Sequence, residues 1–349
     1  MKRKTKRWLL SLLILLVAGF TLLNVLAYNH ASAMMNFTSN GTRSGKPEEL
    51  PFWTKIRVLL IGVNVPRPIQ ERVPSDFDPV CRTLSINGPE NITLATWYCD
   101  QGKGTPLVIL FHGYSAEKTS LLREAKILLD LATSVLLVDF RGSGGSSESY
   151  TTVGIREGDD VAAVVRYADY NLSHAHTSTI LFGQSMGAVA ILRAVQEHSI
   201  APDAIILEAV FDTMLNTVRN RFAALGVPSF PSAELLVFWG GWQADFGGFS
   251  HNPVDYATSV ECPALFMHGV DDPRATIAEG RRVFAAVPGP KEFKEFEAVG
   301  HEDYASKYPH EWQTAVIEII KKVEKTENHS DQREPSEYAQ AKQSDSRSE

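Results

Sequence analysis

The chain has 349 residues, 44% of them apolar and 21% charged, and its formal net charge is −7. This length suits one α/β enzyme domain with appended segments, and the composition excludes a chain that is disordered throughout. The charge is uneven: residues 1–7 carry +5, residues 324–349 carry −3 and the middle carries −9. An acidic body argues against a nucleic-acid partner, because nucleic-acid phosphates require a basic face.

The N-terminus has the pattern of a membrane helix. Residues 8–28 contain no charged side chain and follow the basic segment at residues 1–7. A helix of that length spans a hydrocarbon core of about 30 Å. We predict a transmembrane signal-anchor at 8–28, with the basic segment cytoplasmic and the body extracytoplasmic. The alternative is a cleaved signal peptide and a secreted or periplasmic body, since Ala31-Ser32-Ala33 resembles a cleavage site.

Two segments flank the predicted folded domain at residues 76–324. Residues 29–75 are predicted to form a stalk or linker that contains an apolar run from 52 to 63. We expect that run to pack against the body, with the membrane surface as the alternative. Residues 325–349 have almost no large apolar side chains, which predicts a disordered tail.

Strand-like and helix-like segments alternate within the folded domain, which predicts a mostly parallel sheet with helices on both faces. The expected strands are 79–87, 91–99, 106–111, 134–140, 179–182, 204–207, 264–267 and 291–297. The expected helices are about 118–132, 156–170, 186–198, 275–286 and 309–324. We expect the first two strands to form an antiparallel hairpin, and residues of about 213–258, which are rich in aromatic side chains, to form a small helical cap.

The three cysteines are Cys81, Cys99 and Cys262. Folding about a turn at 87–91 brings Cys81 and Cys99 within a couple of residues of direct register. A cross-strand disulfide and two free buried thiols are both compatible with this placement, and an exported body would allow the disulfide to persist. Cys262 begins an apolar strand and is expected to be a small core residue.

The pentapeptide at 183–187, Gly-Gln-Ser-Met-Gly, lies between an apolar strand and a helix-like stretch. A strand that turns sharply into a helix forces the turn residue into strained backbone angles and lifts its side chain above the sheet. The helix N-terminus also favours developing negative charge. We therefore predict Ser185 as a nucleophile; the alternative is a helix-capping serine between packing glycines.

A serine nucleophile needs a base, and the base needs an orienting acid. With a serine on this kind of turn, the order along the chain is serine, acid, histidine. One strand leads into Asp271 and Asp272, and the next leads to His301, so both ends lie at the ligand-binding edge of a parallel sheet. We assign His301 as general base and Asp272 as the acid.

Four other residues compete for these roles. Asp271 is adjacent to Asp272 and chemically equivalent, and Asp212 follows the strand after the nucleophile helix. His268 is expected to be a structural hydrogen-bonding residue at a strand end, and His310 is expected to begin the last helix.

An oxyanion hole requires backbone N–H groups that point at the tetrahedral oxygen. One comes from the residue after the nucleophile, here Met186, and one from the loop after an earlier strand. The strand at 106–111 leads into His112, Gly113 and Tyr114, and we predict the Tyr114 N–H as the second donor.

The remaining motifs predict no cofactor and no metal. Residues 139–146 are rich in glycine but lack the spacing of a phosphate-binding loop, so we expect a tight turn in which Arg141 pairs locally. His174 and His176 have no further ligands at useful spacing.

The motifs that carry a family resemblance are His112-Gly113, Asp139-Phe-Arg-Gly142, Gly183-Gln-Ser-Met-Gly187, His268-Gly-Val-Asp-Asp272 and Gly300-His301. Over residues 78–324 their order resembles the α/β-hydrolase superfamily, and within it the serine-aminopeptidase-like (S33-type) hydrolases. Tyr114 stands where that family often has asparagine or glycine. The resemblance implies hydrolysis of an ester, thioester or amide without a cofactor, and it does not imply a substrate.

These observations predict a membrane-tethered serine hydrolase that cleaves a carboxylic ester, and the aromatic cap and the tether favour a lipid-derived one. An aminopeptidase or an acyltransferase would use the same acyl-enzyme. A non-catalytic binding protein with this fold is a further alternative, against which the complete set of serine, aspartate and histidine argues. The sequence does not indicate an oligomeric state.

Overall fold

In a computed structural model, the chain is described at residues 2–45, 47–69 and 71–330. In these described residues, eight strands form one sheet. They are β1 Cys81–Asn87, β2 Thr93–Cys99, β3 Thr105–Phe111, β4 Ser134–Val138, β5 His176–Gln184, β6 Ala204–Glu208, β7 Ala264–Gly269 and β8 Lys291–Phe296. All eight expected strands are present, with ends that differ from the expected ones by up to three residues.

The strand order is β1-β2-β4-β3-β5-β6-β7-β8. Strands β3 to β8 are mutually parallel, whereas β2 runs antiparallel to both β1 and β4. The expected N-terminal hairpin and the mostly parallel sheet are therefore confirmed. Five strands, β3 to β7, carry near-continuous buried apolar side chains because helices cover both faces of the sheet.

Twelve α-helices accompany the sheet in the described residues. They are α1 Lys2–Met35, α2 Phe52–Ile61, α3 Pro74–Phe77, α4 Leu122–Asp130, α5 Ile155–Asn171, α6 Met186–His198, α7 Met214–Leu225, α8 Ser232–Ala244, α9 Pro253–Ala257, α10 Ile277–Ala286, α11 Tyr304–Lys307 and α12 Pro309–Ser330. Helices α5, α6, α9 and α10 cover one face and α4, α11 and α12 the other, each over its own apolar cluster. Helices α7 and α8 lie in the predicted cap and share a small third cluster.

Helix α1 is longer than the predicted membrane segment, and the chain after it is not a free spacer. The helix runs to Met35, where the Thr151 N–H donates to the Met35 carbonyl at 2.8 Å. Beyond it, Phe37 N–H donates to the Ser149 carbonyl at 2.7 Å, and Thr38 N–H donates to the Val65 carbonyl at 2.9 Å. The start of the predicted stalk therefore lies against the body, because backbone hydrogen bonds join it to residues 149 and 151.

The cysteines and the C-terminus complete the comparison with the sequence. Cys81 and Cys99 are directly opposed on β1 and β2 and form a disulfide, which decides between the two alternatives left open by the sequence. Cys262 is a free, partly buried thiol that packs against the core. Helix α12 runs to Ser330, six residues into the segment predicted as disordered. The rest of that predicted tail, 331–349, lies outside the described residues.

A buried ion pair holds the glycine-rich loop at 139–146. The Arg141 guanidinium donates to Asp160 Oδ1 at 2.7 Å, and both side chains are fully buried. Burial raises the pKa of the Asp160 carboxyl to about 6, although its hydrogen bonds from Arg141 act in the opposite direction. Arg141 also reaches the exposed carboxylate of Glu90 at 3.1 Å. The loop is thus fixed by local pairing of Arg141, as expected from its sequence.

Candidate active site

Ser185 occupies a sharp turn between β5 and α6. Its backbone angles are φ 53° and ψ −109°, a conformation that is costly for any residue other than glycine. The two flanking glycines allow the turn. A Cβ on Gly187 would lie 2.3 Å from the Phe111 carbonyl oxygen, and one on Gly183 would lie 2.6 Å from the Ala188 nitrogen. Strand, turn and helix can therefore pack only with glycine at both positions.

Asp272 and His301 meet at the same edge of the sheet. His301 Nδ1 donates to Asp272 Oδ2 at 2.7 Å, and the Asp272 carboxylate is fully buried. Its other oxygen accepts the N–H groups of Arg274 at 2.8 Å and Ala275 at 3.0 Å. Burial opposes ionisation of Asp272, but these hydrogen bonds outweigh it and hold its pKa below the usual value. An ionised Asp272 fixes the proton on His301 Nδ1, which leaves Nε2 free to accept one.

The competing residues make other hydrogen bonds or are exposed, although His268 Nε2 lies 4.0 Å from Asp272 Oδ2. Asp271 is exposed, and Asp212 accepts hydrogen bonds from Arg282 Nε at 2.8 Å and Asn216 Nδ2 at 3.0 Å. Of the three candidate carboxylates Asp212, Asp271 and Asp272, Asp272 is the one hydrogen-bonded to His301.

The competing histidines are also accounted for. His268 Nε2 donates to the Ala275 carbonyl at 2.6 Å, and burial lowers the pKa of His268. His310 is exposed near the start of α12.

The two predicted oxyanion donors border the turn. Met186 is the first residue of α6, and Tyr114 follows Gly113, where a Cβ would lie 3.6 Å from Ser185 Cβ. His112 shapes this loop: its Nε2 accepts the Phe140 N–H at 3.2 Å, so its Nδ1 carries the proton donated to the Gly113 carbonyl at 2.8 Å. Within the described part of the chain, neither the Tyr114 N–H nor the Met186 N–H has an acceptor.

The predicted nucleophile, Ser185, and the predicted base, His301, are not hydrogen-bonded to each other in the described structure. Among the described residues, the Ser185 hydroxyl makes no hydrogen bond to His301, although both lie at the carboxyl edge of the sheet. Such bonds are often long in an enzyme without substrate and tighten in the Michaelis complex. The geometry therefore brings Asp272 and His301 together, and places Ser185 on the strained turn.

Sequence reasoning missed Glu208, which lies behind the serine turn. The Glu208 carbonyl accepts the Ser185 N–H at 2.7 Å, and its buried carboxyl accepts the Trp312 Nε1–H at 2.6 Å. Burial raises the pKa of this carboxyl to about 7, and Asp303 adds to the rise, while Trp312 and Gln184 oppose it. A glutamate that ends an apolar strand was the available signal, because a charge at such a position is rare without a partner.

We expect Glu208→Gln to flatten the pH dependence of stability. The pKa of the folded state lies above the unfolded value, so stability is highest below the unfolded pKa and is lost as pH rises toward about 7. The wild type should lose roughly 2–3 kcal/mol more than the variant between about pH 5 and pH 8. Unfolding midpoints measured across that range check this. The exposed Glu311→Gln should follow the wild type, and a Glu208→Gln curve parallel to the wild type would contradict the assignment.

A cavity of about 690 Å³ adjoins this edge of the sheet at Tyr114 and Arg274. Ser185 itself is not part of the cavity wall. The wall is mostly apolar, and it is formed by α1, α2, α7 and α8 with the segment at 43–65. Among the described residues, the charged side chains that border it are those of Arg43, Glu49, Arg221 and Arg274. The volume lies within the range of about 300–1,000 Å³ that is usual for small-molecule sites.

Comparison with known proteins agrees with this architecture. A family model for serine aminopeptidases of the S33 type matches residues 102–254. The esterase Pf2001 of Pyrococcus furiosus superimposes with a TM-score of 0.63 at 23% identity, over 74% of this chain and 97% of the esterase. The chain has the α/β-hydrolase fold.

Two sequence relatives are about a quarter identical to this chain over the aligned residues. An uncharacterised protein of Mycobacterium tuberculosis is 26% identical over 229 residues, which cover 64% of this chain and 74% of that protein. The lysophosphatidylserine lipase ABHD12 of Macaca fascicularis is 23% identical over 208 residues, 58% of this chain and 50% of the lipase. The chain thus matches only half of the lipase's length.

Proposed function

We propose that this protein is a membrane-tethered serine hydrolase that cleaves a single-chain, lipid-derived carboxylic ester. The observation that carries the proposal is the apolar cavity, which ends at Tyr114 beside the serine turn. An acyl chain in that cavity would place its ester carbonyl between Ser185 and the Tyr114 N–H. The similarity to a lysophosphatidylserine lipase is in line with such a substrate.

The proposed reaction proceeds through an acyl-enzyme. Ser185 Oγ attacks the ester carbonyl and gives its proton to His301 Nε2, while Asp272 holds the Nδ1 proton and stabilises the imidazolium. The N–H groups of Met186 and Tyr114 bind the oxyanion, each contributing about 2.7–4 kcal/mol. The protonated His301 then gives its proton to the departing alcohol. Water, deprotonated by His301, releases the acid by the same steps.

The polar end of the cavity favours an anionic substrate group. Arg221 donates to the Thr217 carbonyl at 2.9 Å and to its hydroxyl at 2.8 Å, and forms no ion pair in the described residues. Burial lowers the pKa of Arg221, and Arg274 acts in the same direction, whereas Tyr114, Asp272 and Glu279 oppose the fall. An anionic headgroup would give Arg221 a directly paired counter-charge. A free α-ammonium group would be repelled, which favours an esterase over an aminopeptidase.

The anchor and its orientation are part of the proposal. One described helix, Thr5–Met35, is long and apolar enough to cross a membrane, and its most apolar stretch is fully exposed. The basic segment before it favours a cytoplasmic N-terminus. The Cys81–Cys99 disulfide supports an extracytoplasmic body, where such bonds persist. The alternative cleavage site at 31–33 lies inside α1, where Ala31 is buried, and this supports a retained anchor.

A substrate panel tests the proposal. Full-length protein in detergent is assayed on esters of graded acyl length, with neutral and anionic headgroups, beside aminoacyl anilides. We expect kcat/KM to rise with chain length and to be higher for anionic esters. Arg221→Gln should remove the headgroup preference. Faster turnover of the anilides than of every ester would contradict the proposal.

A further inference from the structure

The C-terminal part of helix α1 packs against the folded body of the protein. Trp239 Nε1 donates to Asn24 Oδ1 at 3.1 Å, and Gln243 Nε2 donates to the Tyr28 carbonyl at 3.0 Å. The rings of Tyr28 and Trp239 meet edge to face with centroids 5.5 Å apart. These contacts join α1 to helix α8 of the cap, so the last three turns of α1 belong to the folded body.

Small residues let these two helices approach closely. Ala27 and Ala31 are buried, and a Cβ on Gly240 of α8 would lie 3.9 Å from Ala31 Cβ and 3.8 Å from Met35 Sδ. On the opposite side, His30 Nε2 donates to the Leu59 carbonyl of α2 at 3.1 Å. Helix α1 is therefore held between α2 and α8.

One face of this segment borders the cavity. The α1 residues in the cavity wall are Leu23, Leu26, Ala27, His30 and Met34. Their spacing of three, one, three and four residues places them on a single stripe of a helix. The same segment also contacts the catalytic edge, because the Tyr114 hydroxyl donates to the Met34 carbonyl at 2.6 Å. Burial raises the pKa of Tyr114 to about 12, so it remains a donor at neutral pH.

The surroundings of α1 suit a position of the cavity at a membrane surface. Apolar side chains of α1 from Trp8 to Leu22 are exposed, which suits contact with lipid. Large apolar side chains are also exposed where α1 leaves that stretch, on α2 and around α8. They are Phe52, Trp53, Leu60, Ile61, Phe230, Phe238, Trp242 and Phe249. Because α2 and α8 both contact α1, these exposed apolar side chains extend the exposed apolar surface of α1.

We propose that the anchor helix is part of the substrate site: its segment from Leu23 to Met34 forms a wall of the acyl pocket, and the acyl chain enters from the bilayer along that wall. The proposal rests on the function proposed above. A single-chain lipid in the outer leaflet already has its chain beside α1. It needs to move along the helix only as far as Tyr114, without crossing water.

Binding of a long-chain probe tests the wall independently of catalysis. The protein is the full chain with Ser185→Ala, in detergent micelles, and the probe is dansyl-undecanoic acid followed by its emission. Leu26→Trp fills the cavity from α1, whereas Val25→Trp adds the same side chain on the exposed face of the same turn. We expect Leu26→Trp to weaken binding at least about tenfold and Val25→Trp to leave it unchanged.

A second variant tests whether any loss of binding comes from the filled cavity or from misfolding. Leu23 also borders the cavity but is 37% exposed, so Leu23→Trp can be accommodated without repacking and should weaken binding in the same direction. Binding by both cavity variants equal to that of Val25→Trp would overturn the proposal, as would an absence of saturable binding before substitution. If the variants behave as expected but the wild type cleaves no ester, the pocket wall stands and the proposed function fails.

Discussion

Asp272→Asn is expected to lower kcat on a long-chain ester by about 10⁴-fold, with little change in folding. An amide at this position can still accept the N–H groups of Arg274 and Ala275, so the loop keeps its shape. It can no longer hold the proton on His301 Nδ1 or stabilise the imidazolium. Steady-state kinetics and a melting curve of the same preparation separate the two effects.

The neighbouring carboxylate is the matched control. Asp271 differs by one position and has the same charge, but its side chain is exposed. Asp271→Asn should therefore keep kcat within about threefold of the wild type, since surface substitutions usually have small effects. Equal losses in the two variants, or a larger loss for Asp271→Asn, would show that the acid is wrongly assigned.

The second large effect concerns stability. Asp160→Asn should destabilise the fold by about 3–5 kcal/mol, because it leaves the buried Arg141 guanidinium without its main counter-charge. Glu90 cannot replace it fully, since that carboxylate is 53% exposed and lies on the other side of the guanidinium. Urea unfolding of the full chain in detergent measures the change in free energy.

An exposed ion pair provides the comparison for Asp160. Arg281 and Glu295 lie 2.6 Å apart with side chains 58% and 35% exposed. Glu295→Gln should cost no more than about 1 kcal/mol, because solvent screens such pairs. A cost for Asp160→Asn as small as that of Glu295→Gln would mean that the buried pair does not hold the loop.

The sheet was predictable because its strands are short apolar runs between helical stretches, such as 106–111 and 204–207. The packing of α1 was not. An apolar side chain that faces lipid and one that lines a cavity are alike in sequence, so nothing at 23–34 distinguished a pocket wall from a tether. Packing of the run at 52–63 against the body was expected, but the contact of Phe37 with Ser149 was not predictable, because these residues lie far apart in the chain.

At the site, local motifs carried most of the information. Chain order and strand ends were enough to place Asp272 beside His301, and the glycines at 183 and 187 indicated the turn at Ser185. The catalytic roles of Ser185, Asp272, His301, Tyr114 and Met186 stay predictions. Glu208 was missed because its role depends on Trp312 and Gln184, contacts that only the folded chain creates.

Labelling with a fluorophosphonate tests the central claim most directly, because the probe forms a covalent bond only with an activated serine. Full-length wild-type protein should take up one label per chain, mapped by peptide analysis to Ser185. Ser185→Ala should take up none while melting at the same temperature as the wild type. An unlabelled wild type, or equal labelling of Ser185→Ala, would contradict the account of this chain as a serine hydrolase.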